Sequence, residues 1–309
     1  MTYFDSLISA KELIAMLPLA SSCEPSGVPE LLIFDVSYDL SQEHWGQEQY
    51  NLSHIAHAHF ADLGQDLSAH DPDLAQNGGR HPLPLREHFA KWLGQFSLQA
   101  QTQVVVYDRN QNNFCGRLWW MLKWCGHEHV AVLDGAFDHW LQAGGAVQSQ
   151  LERDLQKTSP ALATSAKNAL AYPLSSPRVQ LKSTAEVFSG LSSTHQTLID
   201  ARGQARYLGR VEPLDPIAGH IPGALNRPFN DNFTPEGLFK APSVLKQEFL
   251  TLLKGRDPQS VVHQCGSGVS AVPNVLAMHL AGLGESALYA GSWSEWSRTP
   301  GMPVERETP

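Results

Sequence analysis

The feature that most constrains this chain is an internal repeat. Five short landmarks of the first half return in the same order about 160 residues later. The pairs are residues 31–35 with 198–200, 54–58 with 220–224, 104–108 with 261–264, 133–135 with 289–291, and Trp140 with Trp296. Chance matching of five landmarks in order is improbable, so the sequence indicates a duplicated structural unit.

The repeat divides the 309 residues into two domains of ordinary size. We predict a first domain over residues 1–147, a Ser/Ala/Thr/Pro-rich linker over 148–176 and a second domain over 177–309. Each half alternates short Val-rich runs with helical patterns; the second half, for example, predicts a strand over 261–263, a helix over 269–281 and a strand over 287–289. This alternation predicts an α/β fold, in which each domain is a small parallel sheet flanked by helices.

Composition limits the partners. A net charge of −9 argues against nucleic acids and anionic membranes, both of which attract basic surfaces. No apolar run reaches the length of a membrane span. The four cysteines, Cys23, Cys115, Cys125 and Cys265, are scattered, which favours a reducing, cytoplasmic location over a disulfide framework. No metal site is predicted, although His54, His57 and His59 come closest to a cluster.

Cys265 is the candidate nucleophile. It stands between a predicted strand and a predicted helix, where ligands bind in open α/β sheets. Gly266, Ser267, Gly268, Val269 and Ser270 follow it, and we expect their backbone N–H groups and hydroxyls to form an anion cradle at the positive end of the helix. Such surroundings favour a thiolate over a thiol. By contrast, Cys115 and Cys125 are expected to be buried apolar residues.

Three other chemistries fit this loop poorly. A Cys-x5-Arg phosphatase needs an arginine where Ala271 stands, and a P-loop needs a lysine that the turn lacks. A cysteine hydrolase needs a basic partner, and His263, as a strand residue, is expected to point inward instead. Sulfur transfer remains, because it requires only a thiolate, a cradle for anions and a pocket for a small sulfur donor.

The loop sequence Cys-Gly-Ser-Gly-Val-Ser-Ala over 265–271 resembles the CGSGVTA loop of the tandem-domain rhodaneses, specifically the 3-mercaptopyruvate sulfurtransferases. Thiosulfate-preferring members usually carry a basic loop of the CRKGVTA kind, so the neutral loop favours mercaptopyruvate. Residues 200–202, 219–224 and 291–296 are similar to further signatures of that family, and the resemblance covers essentially the full chain.

The resemblance implies that only the second domain is catalytic, and we align Arg109 with Cys265 in the first copy. It also implies that Arg206 binds the carboxylate or sulfonate of the donor. The mercaptopyruvate group usually has a second arginine nine residues further on, where this chain has Asp215. Arg210, on the same segment, is the candidate replacement.

A histidine and an aspartate of the family's first domain pair with the loop serine. The histidine matches His81, whereas the aspartate position is Gly64, with Asp62 or Asp66 as possible replacements. A complete serine–histidine–aspartate relay is therefore not expected.

The predicted reaction passes a sulfane sulfur from 3-mercaptopyruvate, through a Cys265 persulfide, to cyanide, a small thiol or thioredoxin. The resemblance implies no metal and no organic cofactor. Two alternatives stay open: thiosulfate as the donor, and a non-catalytic rhodanese-like module that binds protein partners.

Overall fold

The computed structural model describes residues 3–21, 30–156 and 170–307 of the chain. Cys23 and residues 157–169 of the predicted linker lie outside these ranges. The chain forms two compact units, the first from Met1–Leu67 and Pro84–Arg178, the second from Ser68–Leu83 and Val179–Pro309. Residues 68–83 therefore belong to the second unit although they precede most of the first in sequence.

The first unit contains seven strands and six α-helices within its described residues. The strands are β1 (Leu7–Ile8), β2 (Leu31–Asp35), β3 (His54–Ile55), β4 (His59–Phe60), β5 (Gln103–Tyr107), β6 (Val130–Leu133) and β7 (Val147–Gln148). The helices are α1 (Ala10–Met16), α2 (Trp45–Leu52), α3 (Arg86–Gly94), α4 (Cys115–Trp124), α5 (Ala136–Gln142) and α6 (Gln150–Gln156).

The second unit contains five strands and five α-helices within its described residues. The strands are β8 (Gln180–Lys182), β9 (Thr197–Asp200), β10 (Leu225–Asn226), β11 (Val261–Gln264) and β12 (Ala287–Tyr289). The helices are α7 (Thr184–Ser189), α8 (Gln204–Tyr207), α9 (Pro242–Leu253), α10 (Val272–Leu280) and α11 (Ser292–Trp296).

The two units share one topology. The sheet of the first has the order β1-β6-β5-β2-β4 and that of the second the order β8-β12-β11-β9-β10, with all strand pairs parallel. Reading each order from its first strand in sequence gives the same chain path, so the α/β prediction and the duplication are both confirmed. Only the first unit adds a small antiparallel pair, β3 with β7, within the described residues.

Valine-rich runs form the centre of each sheet because branched side chains pack well on a pleated surface buried on both faces. Every residue of β5 and of β11 is buried. The predicted helix over 269–281 forms over a shorter range, since α10 begins only at Val272 with Pro273 in its first turn. The residues in between belong to the loop that follows Cys265.

The range predicted as a linker, 148–176, includes regular structure. Strand β7 ends at Gln148, and α6 follows directly. Beyond the undescribed residues, Tyr172 is buried and its N–H donates to the carbonyl oxygen of Ala90 in α3. The domain boundaries at 148 and 176 stay a prediction.

The first helix of each unit begins with the same capping arrangement. Ser9 at the start of α1 and Ser183 at the start of α7 each accept the N–H of a glutamate three residues later, Glu12 and Glu186 respectively. Each glutamate carboxylate accepts the serine N–H in return. These capping boxes satisfy N–H groups that a helix leaves unpaired in its first turn.

We expect Ser183→Ala to lower the free energy of unfolding by about 1 kcal/mol, because it removes the hydroxyl that caps α7. Chemical denaturation followed by circular dichroism measures the change. Ser243→Ala, at an exposed position of α9, is the control and should change stability little. Equal stability of Ser183→Ala and the wild type would show that the capping box contributes nothing.

Candidate active site

Cys265 follows β11 directly and begins the loop that leads to α10. It is 1% exposed. Its N–H donates to Ser292 Oγ (3.1 Å), and its carbonyl oxygen accepts the Trp293 N–H (3.0 Å). Gly268 has φ +74°, and a Cβ there would lie 2.1 Å from the Ala290 carbonyl oxygen. Glycine is therefore required at 268, for backbone conformation and for space.

The loop leaves a row of backbone donors unused. Among the described residues, none accepts a hydrogen bond from the N–H groups of residues 266–271. Unpaired buried N–H groups are costly, and successive ones in a turn before a helix form an anion-binding nest. The predicted cradle residues Gly266 to Ser270 thus lie in one loop beside Cys265, with N–H groups available for an anion.

The first unit shows what such a loop binds. Asp108 Oδ1 accepts the N–H groups of Asn110 (2.8 Å) and Asn112 (2.9 Å), while Oδ2 accepts those of Phe114 (2.8 Å) and Cys115 (2.9 Å). Burial raises the pKa of Asp108, and these four donors oppose that rise. In this copy of the loop, a carboxylate of the chain itself occupies the nest.

Asp108, not Arg109, is the structural counterpart of Cys265. The Asp108 carbonyl oxygen accepts the Phe137 N–H (3.1 Å), just as that of Cys265 accepts the Trp293 N–H. Strand register agrees, since Asp35 pairs with Tyr107 in the first sheet and Asp200 with Gln264 in the second. Our alignment with Arg109 was wrong by one residue, because a comparison of sequences contains no information on the hydrogen-bond register of the strands.

Helices α4 and α10 begin at equivalent points of the two loops, seven residues after Asp108 and seven after Cys265. The loops therefore have the same length. Ser267, Val269 and Ala271 carry the N–H groups equivalent to three of the four that bind Asp108. Arg109 lies apart from this nest, with its guanidinium over the Phe137 ring (3.7 Å).

His81 contacts the loop, as the resemblance implied. Its Nδ1 lies 2.8 Å from Ser267 Oγ, and both residues are buried. The neighbouring backbone is held in place, because the Arg80 N–H donates to Ser294 Oγ (3.1 Å) and the Gly78 N–H to Glu295 Oε1 (3.1 Å). Residues 68–83 thus lie against the start of α11 and against the Cys265 loop.

The two aspartates near Gly64, Asp62 and Asp66, accept hydrogen bonds from backbone N–H groups of the turn in which they lie. Asp62 Oδ1 accepts the N–H groups of Gly64 (2.7 Å) and Gln65 (3.0 Å), and Asp66 Oδ2 accepts the Asp62 N–H (2.8 Å). Burial raises the pKa of Asp66.

His263 is not placed to act as a base for Cys265. It is fully buried, and its Nε2 lies 3.1 Å from Met278 Sδ. Burial lowers its pKa to about 3. The imidazole is therefore neutral at ordinary pH, in agreement with the expected inward orientation.

Arg206 lies beside the loop. Its Nη1 is 3.3 Å from the position that a Cβ on Gly266 would take. Glu212 holds the guanidinium through Nε (3.2 Å) and Nη2 (2.7 Å), and Asp215 Oδ2 lies 3.3 Å from Nη2. Arg202, by contrast, is buried in ion pairs with Asp200 (2.6 Å) and Glu212 (3.3 Å).

Arg210 is placed differently. Its Nε and Nη2 bind the Glu307 carboxylate (2.6 and 2.8 Å), and its side chain is 58% exposed. The structure does not bring it into the group formed by Arg206, Glu212 and Asp215.

Sequence reasoning missed Arg80. Its Nη2 lies 2.9 Å from the Cβ position of Gly266, closer than any atom of Arg206. Its Nη1 binds Asp215 Oδ1 (2.5 Å). The available signal was Asp215 itself, an acid at the position where the resemblance led us to expect an arginine.

Within the described residues, no group of three or more His, Cys, Asp or Glu side chains could hold a metal ion. Over the same part of the chain, none of the helices has the length and apolar character needed to cross a bilayer. Cys115 and Cys125 are buried free thiols, as expected, and burial raises the pKa of both.

We expect Asp108→Asn to destabilise the first unit by about 1–3 kcal/mol, because an amide NH₂ would face backbone N–H groups that now donate to a carboxylate. Thermal or urea unfolding measures the effect. Asp5→Asn, at an exposed position of the same unit, is the matched control. If both variants unfolded together with the wild type, Asp108 would not be filling a nest that needs an anion.

Comparisons with known proteins agree with this geometry. The model of the Rhodanese-like domain matches twice, at residues 24–143 and 183–299. A probable 3-mercaptopyruvate sulfurtransferase of Pseudomonas aeruginosa is 40% identical over 303 residues, which cover 96% of this chain and 97% of that protein. Rat thiosulfate sulfurtransferase is 32% identical over 294 residues, covering 93% of this chain and 92% of its own.

Solved structures show the same likeness. The 3-mercaptopyruvate sulfurtransferase from Leishmania major superposes with a TM-score of 0.76 at 26% identity, over 96% of this chain and 76% of that one. SseA from Escherichia coli, described with the rhodanese fold of 3-mercaptopyruvate sulfotransferases, gives 0.71 at 26% identity, over 94% and 99%. With two matched domains and relatives along nearly its whole length, the chain belongs to the rhodanese family.

Proposed function

We propose that this protein is a sulfurtransferase that takes sulfur from 3-mercaptopyruvate, carries it as a persulfide on Cys265 and passes it to cyanide, a small thiol or thioredoxin. The observation that carries the proposal is the contrast between the two loops. In the first, Asp108 places an anion among the backbone N–H groups. In the second, Cys265 stands at the same position and, among the described residues, three of the four corresponding N–H groups have no acceptor.

The first half-reaction follows from this placement. The Cys265 thiolate attacks the sulfur of mercaptopyruvate, an S–S bond forms and the C–S bond breaks. The electron pair of that bond goes to the carbon, giving the enolate of pyruvate, which takes up the proton released from the mercapto group. The persulfide anion that remains is stabilised by the N–H groups of the loop. Ser267, oriented by His81, and Ser270 provide further hydroxyl donors.

The second half-reaction returns the enzyme to its starting state. The acceptor attacks the outer sulfur, the S–S bond breaks and its electron pair returns to Cys265 as a thiolate. No redox partner or metal is needed when cyanide is the acceptor, because thiocyanate is the only product. A cytoplasmic location suits a chemistry that requires a free thiolate.

The choice of mercaptopyruvate rests on the neutral loop and on the arginine beside it. The P. aeruginosa relative named for mercaptopyruvate has the higher identity, although relatives named for thiosulfate also match nearly the full chain. Arg206 offers a planar guanidinium to a carboxylate. Gly266 adds no charge within the loop itself.

The persulfide can be detected directly. After incubation with mercaptopyruvate and removal of the excess, we expect the mass of the intact protein to rise by one sulfur atom, with the increase located on the peptide that contains Cys265. Cys265→Ser should gain no sulfur and lose all transferase activity, while Cys125→Ser keeps both. Wild-type protein that stays unmodified with either donor would instead support the protein-binding module.

The donor is decided by steady-state kinetics with cyanide as the common acceptor. We expect kcat/KM for mercaptopyruvate to exceed that for thiosulfate by at least about tenfold, the value of one well-placed charged hydrogen bond. A larger kcat/KM for thiosulfate would leave the persulfide chemistry intact and replace the donor.

A further inference from the structure

Three arginines converge on one buried carboxylate beside the Cys265 loop. Asp215, whose side chain is fully buried, binds Arg80 (2.5 Å) and Arg298 (2.7 Å) through Oδ1 and lies 3.3 Å from Arg206 through Oδ2. Its own N–H donates to Glu212 Oε1 (3.2 Å). Glu212 binds Arg206 as well (2.7 Å), so two carboxylates face three guanidinium groups and positive charge remains in excess beside the loop.

Two of these arginines reach the residue next to the nucleophile. The Cβ position of Gly266 is 2.9 Å from Arg80 Nη2 and 3.3 Å from Arg206 Nη1. Neither of these nitrogens is the one that binds Asp215, which engages Arg80 Nη1 and Arg206 Nη2. Each guanidinium therefore uses one edge on Asp215 and directs another toward Gly266.

The backbone of Arg80 is fixed on both sides. Gly79 has φ +99°, and a Cβ there would lie 2.5 Å from Ser294 Oγ, so the chain passes tightly over the start of α11. The Arg80 N–H binds the same Ser294 hydroxyl, and the next residue, His81, contacts Ser267. Arg80 Nε is buried and has no hydrogen-bond partner among the described residues. The side chain is thus directed to the loop with donor capacity in reserve.

We propose that Arg80 is the second arginine that binds the donor's carboxylate, and that Asp215 is the positioning residue that holds Arg80 and Arg206 over Gly266. In this arrangement Asp215 holds a cation that residues 68–83 bring to the loop. Gly266 favours this arrangement, since a side chain there would displace the Arg80 guanidinium, whose Nη2 lies 2.9 Å from the Cβ position. This inference rests on the proposed function.

The test uses the full-length protein with mercaptopyruvate as donor and cyanide as acceptor. For Arg80→Ala we expect KM for mercaptopyruvate to rise about tenfold or more, because a charge-assisted hydrogen bond is lost. KM for cyanide should stay within about twofold, since cyanide has no carboxylate. Arg80→Lys should recover only part of the loss, because an ammonium cannot donate in the planar, two-bonded manner of arginine. Arg256→Ala, an exposed arginine of the same unit, is the matched control.

The Asp215→Asn variant tests whether Asp215 positions the two arginines or only stabilises the fold. Without the charge of the carboxylate, Arg80 and Arg206 lose their common anchor, so KM for mercaptopyruvate should rise while KM for cyanide does not. In an Arg80→Ala background the same change should cost less than alone, because the two residues act as a unit. Should Asp215→Asn fold poorly, Arg80→Gln with 3-mercaptopropionate as a competitive inhibitor still tests, through the inhibition constant, whether Arg80 binds a carboxylate.

The outcomes are distinguishable. Wild-type protein that forms no persulfide with any donor refutes the proposed function. Active wild type together with an unchanged donor KM in Arg80→Ala overturns this inference alone. A rise in donor KM for Arg210→Ala but not for Arg80→Ala would overturn it in favour of Arg210.

Discussion

The hydrogen bonding of backbone N–H groups at one strand–helix junction governs both halves of this protein. A turn that directs successive N–H groups to one point needs an acceptor there, and a buried donor without one costs about 1–3 kcal/mol. The first domain meets that need with the carboxylate of Asp108. The second places Cys265 at the same point and, within the described residues, leaves three of the four equivalent N–H groups without an acceptor.

On the function proposed above, this difference explains how a duplicated fold holds one reactive site. The two loops have equal length and the same strand register, and the two five-stranded sheets have the same strand order. A single side chain decides which copy is closed by its own anion and which remains open to chemistry. The filled copy gains local stability, whereas the open copy retains a site that favours a thiolate or persulfide.

The open site also depends on a segment from the first half of the chain. Residues 68–83 belong to the second compact unit and bring Arg80 and His81 to the Cys265 loop. Buried charges are tolerated only when they are paired, and Asp215 pairs with three guanidinium groups that would otherwise repel one another. A chain that began at residue 177 would carry the nucleophile but neither the histidine nor this arginine.

The sequence by itself determined the repeat, the α/β class and the place of Cys265 between a strand and a helix. Short valine-rich runs, glycines and the order of motifs are local features that can be read directly from the sequence. The family resemblance, and not a local pattern, pointed to His81, which the fold brings to Ser267 across 186 positions of the chain. The tertiary structure alone decided that Asp108 rather than Arg109 matches Cys265, that α10 starts at Val272, and that Arg80 lies over Gly266 while Arg210 binds Glu307. Backbone hydrogen bonds and packing across the whole domain set the strand register and bring distant arginines to one carboxylate. A short stretch of sequence contains none of these long-range contacts.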